Sequence, residues 1–92
     1  TRAYCYPNPV KSERATLRIE TINAENIDIQ VYDLAGFYID SFQQDIKNNP
    51  GKQISEWEWD VKEIETGVYF AHVMVTKESL VATDIIKIAV IH

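Results

Sequence analysis

The stretch Ile27-Asp28-Ile29-Gln30-Val31-Tyr32-Asp33-Leu34-Ala35-Gly36 decides the fold. From Ile27 to Tyr32 the residues alternate strictly, with Ile27, Ile29 and Val31 inward and Asp28 and Gln30 outward. A period of two is that of a strand burying one face. Asp33 and Gly36 then stand at the first and fourth positions of a tight type I turn. Phe37 to Phe42 resumes as a strand, with Phe37 and Ile39 expected inward.

The same pattern continues on both sides. Upstream, Ala15 to Ile22 reads as a strand with Leu17 and Ile19 on one face and Arg18 and Glu20 on the other. Asn23 to Asn26 reads as a hairpin-type loop. Ala3 to Tyr6 is a short extended start, stopped by Pro7-Asn8-Pro9, because proline cannot donate to a ladder. Downstream, Asn48-Asn49-Pro50-Gly51 is a turn signal. Gln53 to Trp59 alternates, with Trp57 and Trp59 sharing a face that reads as core. Asp60 to Thr66 reads as a crossing loop that tucks Ile64 under the layers, Val68 to Thr76 as a strand, Lys77 to Ser79 as a turn, and Ala82 to Ile91 as the last strand. The sum is an all-β chain, an immunoglobulin-like antiparallel β-sandwich of about seven strands. No window keeps the three-four spacing of a helix over three turns.

Ninety-two residues fit a single domain, 1–92. The chain opens on Thr1 without a signal peptide, so it reads as one module from a longer protein. Lys and Arg number 9 against 14 Asp and Glu, a net charge of −5, which repels phosphate backbones and argues against nucleic acid. No apolar run approaches the ~20 residues of a membrane helix, so the chain is not expected to be membrane-embedded. One cysteine, Cys5, excludes an intrachain disulfide.

Catalytic, cofactor and metal sites are not expected. Cys5 and His72 would need an orienting group and an oxyanion site, and nothing supplies them. No Cys/His spacing suits zinc. Asp33 and Asp60 could be imagined as a calcium pair, but Asp33 is better explained as a turn former and Asp60 as a strand-end cap. Tyr38 or Trp57 could stack on a sugar. The last two strands, however, are apolar on both faces: Tyr69, Ala71, Val73 and Val75 against Val68, Phe70, His72 and Met74, then Ile86, Ile88 and Val90 against Ile85, Ala89 and Ile91. A sandwich sheet usually shows water one polar face. Either long neighbouring side chains half cover these outer residues, or the face packs on a docking partner, an adjacent domain of the parent chain or a second copy in a homodimer, with Phe70, Met74, Ile86 and Ile88 as the candidate interface.

A family resemblance adds to this. Tyr6-Pro7-Asn8-Pro9 resembles the opening motif of the C-terminal sorting domains of type IX (Por) secretion. Val31-Tyr32-Asp33-Leu34-Ala35-Gly36 is similar to that family's middle motif. Trp59-Asp60 with Thr66-Gly67-Val68-Tyr69-Phe70 resembles the third, and Ile86-Lys87-Ile88-Ala89-Val90-Ile91 the closing strand. The third block is also similar to the immunoglobulin-like domain of flagellar hook-capping proteins. The match covers nearly the whole chain in order, departing at His92, where many members end on a basic residue.

The resemblance implies a non-catalytic sorting module, the C-terminal module of a larger exported protein, read by secretion-machinery proteins and secreted or at the cell surface. Its motif residues would be Pro7, Asn8, Pro9, Tyr32, Asp33, Gly36, Trp59, Asp60, Gly67, Tyr69 and Lys87. Within them, Gly36 would close the tight turn, Gly67 would permit a sharp backbone turn into its strand, and Tyr69 would bond back to the preceding loop as a tyrosine corner. The alternative role is a structural or carbohydrate-binding accessory module beside a catalytic domain.

Overall fold

The computed structural model describes residues 1–46 and 51–92, so the expected turn at Asn48-Asn49-Pro50 lies outside the described residues except for Gly51. The described residues form seven strands and no helix: β1 (Arg2–Tyr6), β2 (Arg14–Ile22), β3 (Asn26–Asp33), β4 (Tyr38–Asp45), β5 (Lys52–Asp60), β6 (Gly67–Lys77) and β7 (Leu80–Val90). They make two antiparallel sheets, β1-β2-β5 (sheet A) and β4-β3-β6-β7 (sheet B). The all-β sandwich expected from the alternation is what forms.

Between the sheets lies one core. Sheet A contributes Cys5, Leu17, Ile19 and Trp59, and sheet B contributes Ile27, Ile29, Val31, Ala71, Val73, Ile86 and Ile88, all buried. Trp57 is half-buried on the inner face and packs against Phe42, ring centroids 6.5 Å apart. Trp57 is therefore core lining and offers no platform to a sugar. Ile64, in the β5–β6 connection, packs against the core as expected.

Three local expectations need correction. The loop after β2 is not a hairpin: β2 belongs to sheet A and β3 to sheet B, so Asn23 to Glu25 crosses between the layers. Asn23, at φ 54°, instead clasps Gly51 across the end of the β2–β5 pair, donating its N–H to the Gly51 carbonyl at 2.8 Å and accepting from the Gly51 N–H on Oδ1 at 2.7 Å. Phe37 is not inward; it precedes β4 and is 70% exposed. The reason is its place in the turn: its N–H donates to Asp33 Oδ1 and its carbonyl accepts from the Asp33 N–H before β4 begins, whereas Ile39 packs against the core as expected.

The third correction concerns the surface proposed for the last strands. Ile86 and Ile88 are 7% and 0% exposed and belong to the core, on the face opposite Phe70 and Met74. They cannot line an exposed interface. On β7 the outward apolar neighbour of Met74 is Ile85, which is 57% exposed.

Candidate functional site: a docking face and the pole that braces it

The four sequence motifs meet at one end of the sandwich. Asp33 on β3 pairs in register with Tyr69 on β6, which pairs with Ile88 on β7. Under Tyr69 lies Trp59 at the end of β5, edge-on at 5.8 Å and fully buried. The Tyr69 hydroxyl donates to the Glu65 carbonyl at 2.6 Å, the back-bond to the preceding loop that the sequence suggested. Burial, with the Glu65 and Asp33 carboxylates nearby, pushes the Tyr69 phenol above its usual range.

Each motif aspartate serves its own turn. Asp33 Oδ1 accepts from Ala35 N–H at 3.0 Å and Phe37 N–H at 2.8 Å, while the Gly36 N–H donates to the Asp33 carbonyl at 3.0 Å. Gly36 has φ 90°, a conformation that costs other residues a Cβ clash. Asp60 Oδ1 accepts from Lys62 N–H at 2.9 Å. Gly67 behaves differently from expectation. Its φ is not left-handed, and a Cβ there would meet the Tyr69 ring at 3.7 Å, an ordinary contact. Nothing in its backbone requires glycine.

Pro7-Asn8-Pro9 does something that sequence reasoning missed. The chain leaves β1 and runs beside the free edge of β7. Because Pro7 and Pro9 lack N–H groups, the Asn8 side chain supplies the missing pair. Its Nδ2 donates to the Lys87 carbonyl at 2.8 Å and its Oδ1 accepts from the Ala89 N–H at 3.1 Å. Val10 completes the contact, donating to the Ala89 carbonyl at 2.7 Å and accepting from the Ile91 N–H at 2.8 Å. The asparagine carboxamide thus stands in for a peptide group and covers the C-terminal part of β7. An asparagine flanked by two prolines is the only signal that could have pointed to it.

The outer faces of the two sheets differ in kind. Sheet A shows a connected polar network: Tyr6 donates to Glu56 at 2.7 Å, Arg18 reaches Glu56 at 3.3 Å and Glu20 at 3.4 Å, and Tyr4 donates to Glu20 at 3.2 Å. Arg14 pairs with Glu58 at 3.2 Å, and the Arg2 guanidinium lies 4.8 Å over the Tyr4 ring. The carboxylate of Glu56 holds the Tyr6 phenol above its usual range.

Sheet B instead turns aromatic and aliphatic groups outward. Tyr32 stands edge-on to His72 at 5.1 Å and to Tyr38 at 6.3 Å. Beside them are half-buried Phe70 and exposed Met74, Val81 and Ile85. A groove of about 310 Å³ opens between Tyr32, His72, Met74 and Ile85. Lys87 lies opposite Phe70 in the β6–β7 register.

Chemistry is hard to place on either face. Cys5 points into the core from sheet A, while His72 is exposed on the outside of sheet B, so the two do not meet. Burial pushes the Cys5 thiol up to about 11, which keeps it protonated and a poor nucleophile. Among the described residues no three His, Cys, Asp or Glu gather as a metal cluster, and no helix is long and apolar enough to cross a membrane.

The described residues thus form a small sandwich with a braced pole and an outer face on sheet B that is rich in apolar side chains. The family follows from the comparison of sequences. The family model described as "Secretion system C-terminal sorting domain" matches residues 4–87, and the chain belongs to that family. These domains are non-catalytic C-terminal sorting signals of type IX secretion; they interact with the secretion machinery and mark proteins exported to the cell surface or outside. No curated protein and no solved structure matches the chain.

Proposed function

We propose that this chain is the C-terminal module of a larger exported protein, that it performs no catalysis of its own, and that the secretion machinery reads it through the outer face of sheet B. The recognition residues are Phe70 and Met74, joined by Val81 and Ile85 in place of the buried Ile86 and Ile88.

One observation supports this assignment above others. On sheet A, Arg14, Arg18, Glu20, Glu56 and Glu58 are engaged with one another, whereas sheet B leaves Met74 37% and Ile85 57% exposed around an open groove. Covering apolar surface releases about 25 cal/mol per Å², so sheet B gains from a partner while sheet A would first have to break its own bonds. The motif pole acts beneath this face. Tyr69 and Ile88 hold β6 and β7 down from inside, which fixes the outward positions of Phe70 and Lys87.

The test is to append residues 1–92 to a reporter in a host with type IX secretion. The reporter is expected outside the cell. Retention in the periplasm, as for the reporter alone, contradicts the reading. An accessory module that only steadies a neighbouring domain would leave export unchanged when deleted and lower the neighbour's stability.

A further inference from the structure

The free edge of β7 carries an inference that goes past the face reading and stands whether or not sheet B steers export. In an antiparallel strand, alternate residues turn both N–H and C=O to the same side. Ala89 and Ile91 bond outward to Asn8 and Val10, so the odd-numbered residues from Val81 to Ile91 face the edge. The edge then divides. From Lys87 to Ile91 the Asn8 carboxamide and the Val10 peptide groups cover it. At Ile85 the N–H donates to the carboxylate of its own neighbour, Asp84, at 2.8 Å. Before Ile85, no partner among the described residues takes the outward N–H and C=O of Val81 and Thr83.

Natural edges are commonly blunted, and Asn8 and Asp84 do this here. The uncovered stretch is the exception, and it is also apolar. Leu80 and Val81 are exposed, and with Ala82, Ile22, Val75 and the charged Lys77 they line a groove of about 470 Å³.

We propose that Val81 to Ile85 is a strand-addition site for an extended segment of a partner protein, one that alternates apolar with basic side chains and sets a basic residue against Asp84. An extended backbone supplies donors and acceptors at the spacing this edge presents, and pockets between alternate side chains set its preference. The length is bounded by the Glu78-Ser79 turn on one side and the Asn8 contact on the other. Charge selects the occupant. Asp84 is the one ionised side chain between Leu80 and Ile86, and strand addition at the Ile85 N–H frees its carboxylate. A second copy would bring another net −5 and the same acidic strand, so it matches poorly.

The experiment follows backbone amide shifts of the isotope-labelled 92-residue chain while two capped hexapeptides are added, one alternating valine with lysine and one alternating valine with glutamate. The lysine peptide should shift the amides of Val81, Thr83 and Ile85 in a saturable way and leave Ala89 and Ile91 in place. It should bind at least about tenfold more tightly than the glutamate peptide. Thr83→Pro should abolish the response without unfolding the chain, because the lost N–H points away from β6. Should that variant not fold, Ile85→Lys, which sets a cation beside Asp84, should weaken the lysine peptide alone. The proposal is overturned if those amides do not move, if both peptides act equally, or if the chain self-associates through the same amides without peptide.

Discussion

The two outer faces start from the same scaffold and end with opposite surfaces. On sheet A, Arg18 sits between Glu20 and Glu56 and both tyrosines of β1 hydrogen-bond to those acids. On sheet B, Tyr32, Phe70, Met74 and Ile85 lie where charges would be expected on a solvated sheet. A face that satisfies its own charges gains little from a partner, whereas open apolar area gains from being covered. On the proposed function, the difference separates what holds this domain together from what it offers to others. The family motifs fall on the first side: Asn8, Asp33, Trp59 and Tyr69 all make internal contacts at one pole.

Four measurements sharpen or break that separation. The largest effect belongs to the shared core. Trp59→Ala should cost about 3–5 kcal/mol in denaturant unfolding, because it empties a fully buried site beneath Tyr69. A small loss would mean that the two layers are not held by one core. Next is Asn8→Ala, which strips the Ala89 N–H and Lys87 C=O of their partner. Unfolding should register a loss of about 1–3 kcal/mol, and amide exchange at Ala89 should speed up while that at Thr83 stays the same. Tyr69→Phe should cost about 1 kcal/mol by removing the bond to Glu65. Smallest is Arg18→Ala on sheet A, below about 1 kcal/mol in the same assay, since exposed ion pairs contribute little.

A pH series adds a signed test of the internal side. The Cys5 thiol and the Tyr69 phenol both have raised folded pKa values, so the neutral forms favour folding. Their contribution is complete below the ordinary value of 9.0 for the thiol and fades as pH rises through about 11. Thermal unfolding should show Tm falling across that window, and Cys5→Ala should flatten part of the fall.

Much of the fold was legible because alternation carries information wherever one face is polar. Ile27 to Val31 and Leu17 to Ile19 gave the right inner faces for this reason. The last strand did not, because its two charges stand at opposite parities: Lys87 marks the outer face, but Asp84 falls on the same parity as the buried Ile86 and Ile88. Phe37 misled because it closes the Asp33 turn before β4 begins, where strand parity does not apply. The loop after β2 misled because its length suits a hairpin as well as a step between layers. The Asn8 contact spans 79 residues and uses a side chain in place of backbone, which no local period encodes.

Recognition of sheet B's outer face by the export machinery is tested by comparing two double variants of the reporter fusion in a type IX-secreting host. Met74→Lys with Ile85→Lys should leave the domain folded and hold the reporter in the periplasm. Arg18→Ala with Glu56→Gln should leave export at the unmodified level. Normal export of the first pair, with its fold verified by amide spectra, would show that the machinery does not read this face.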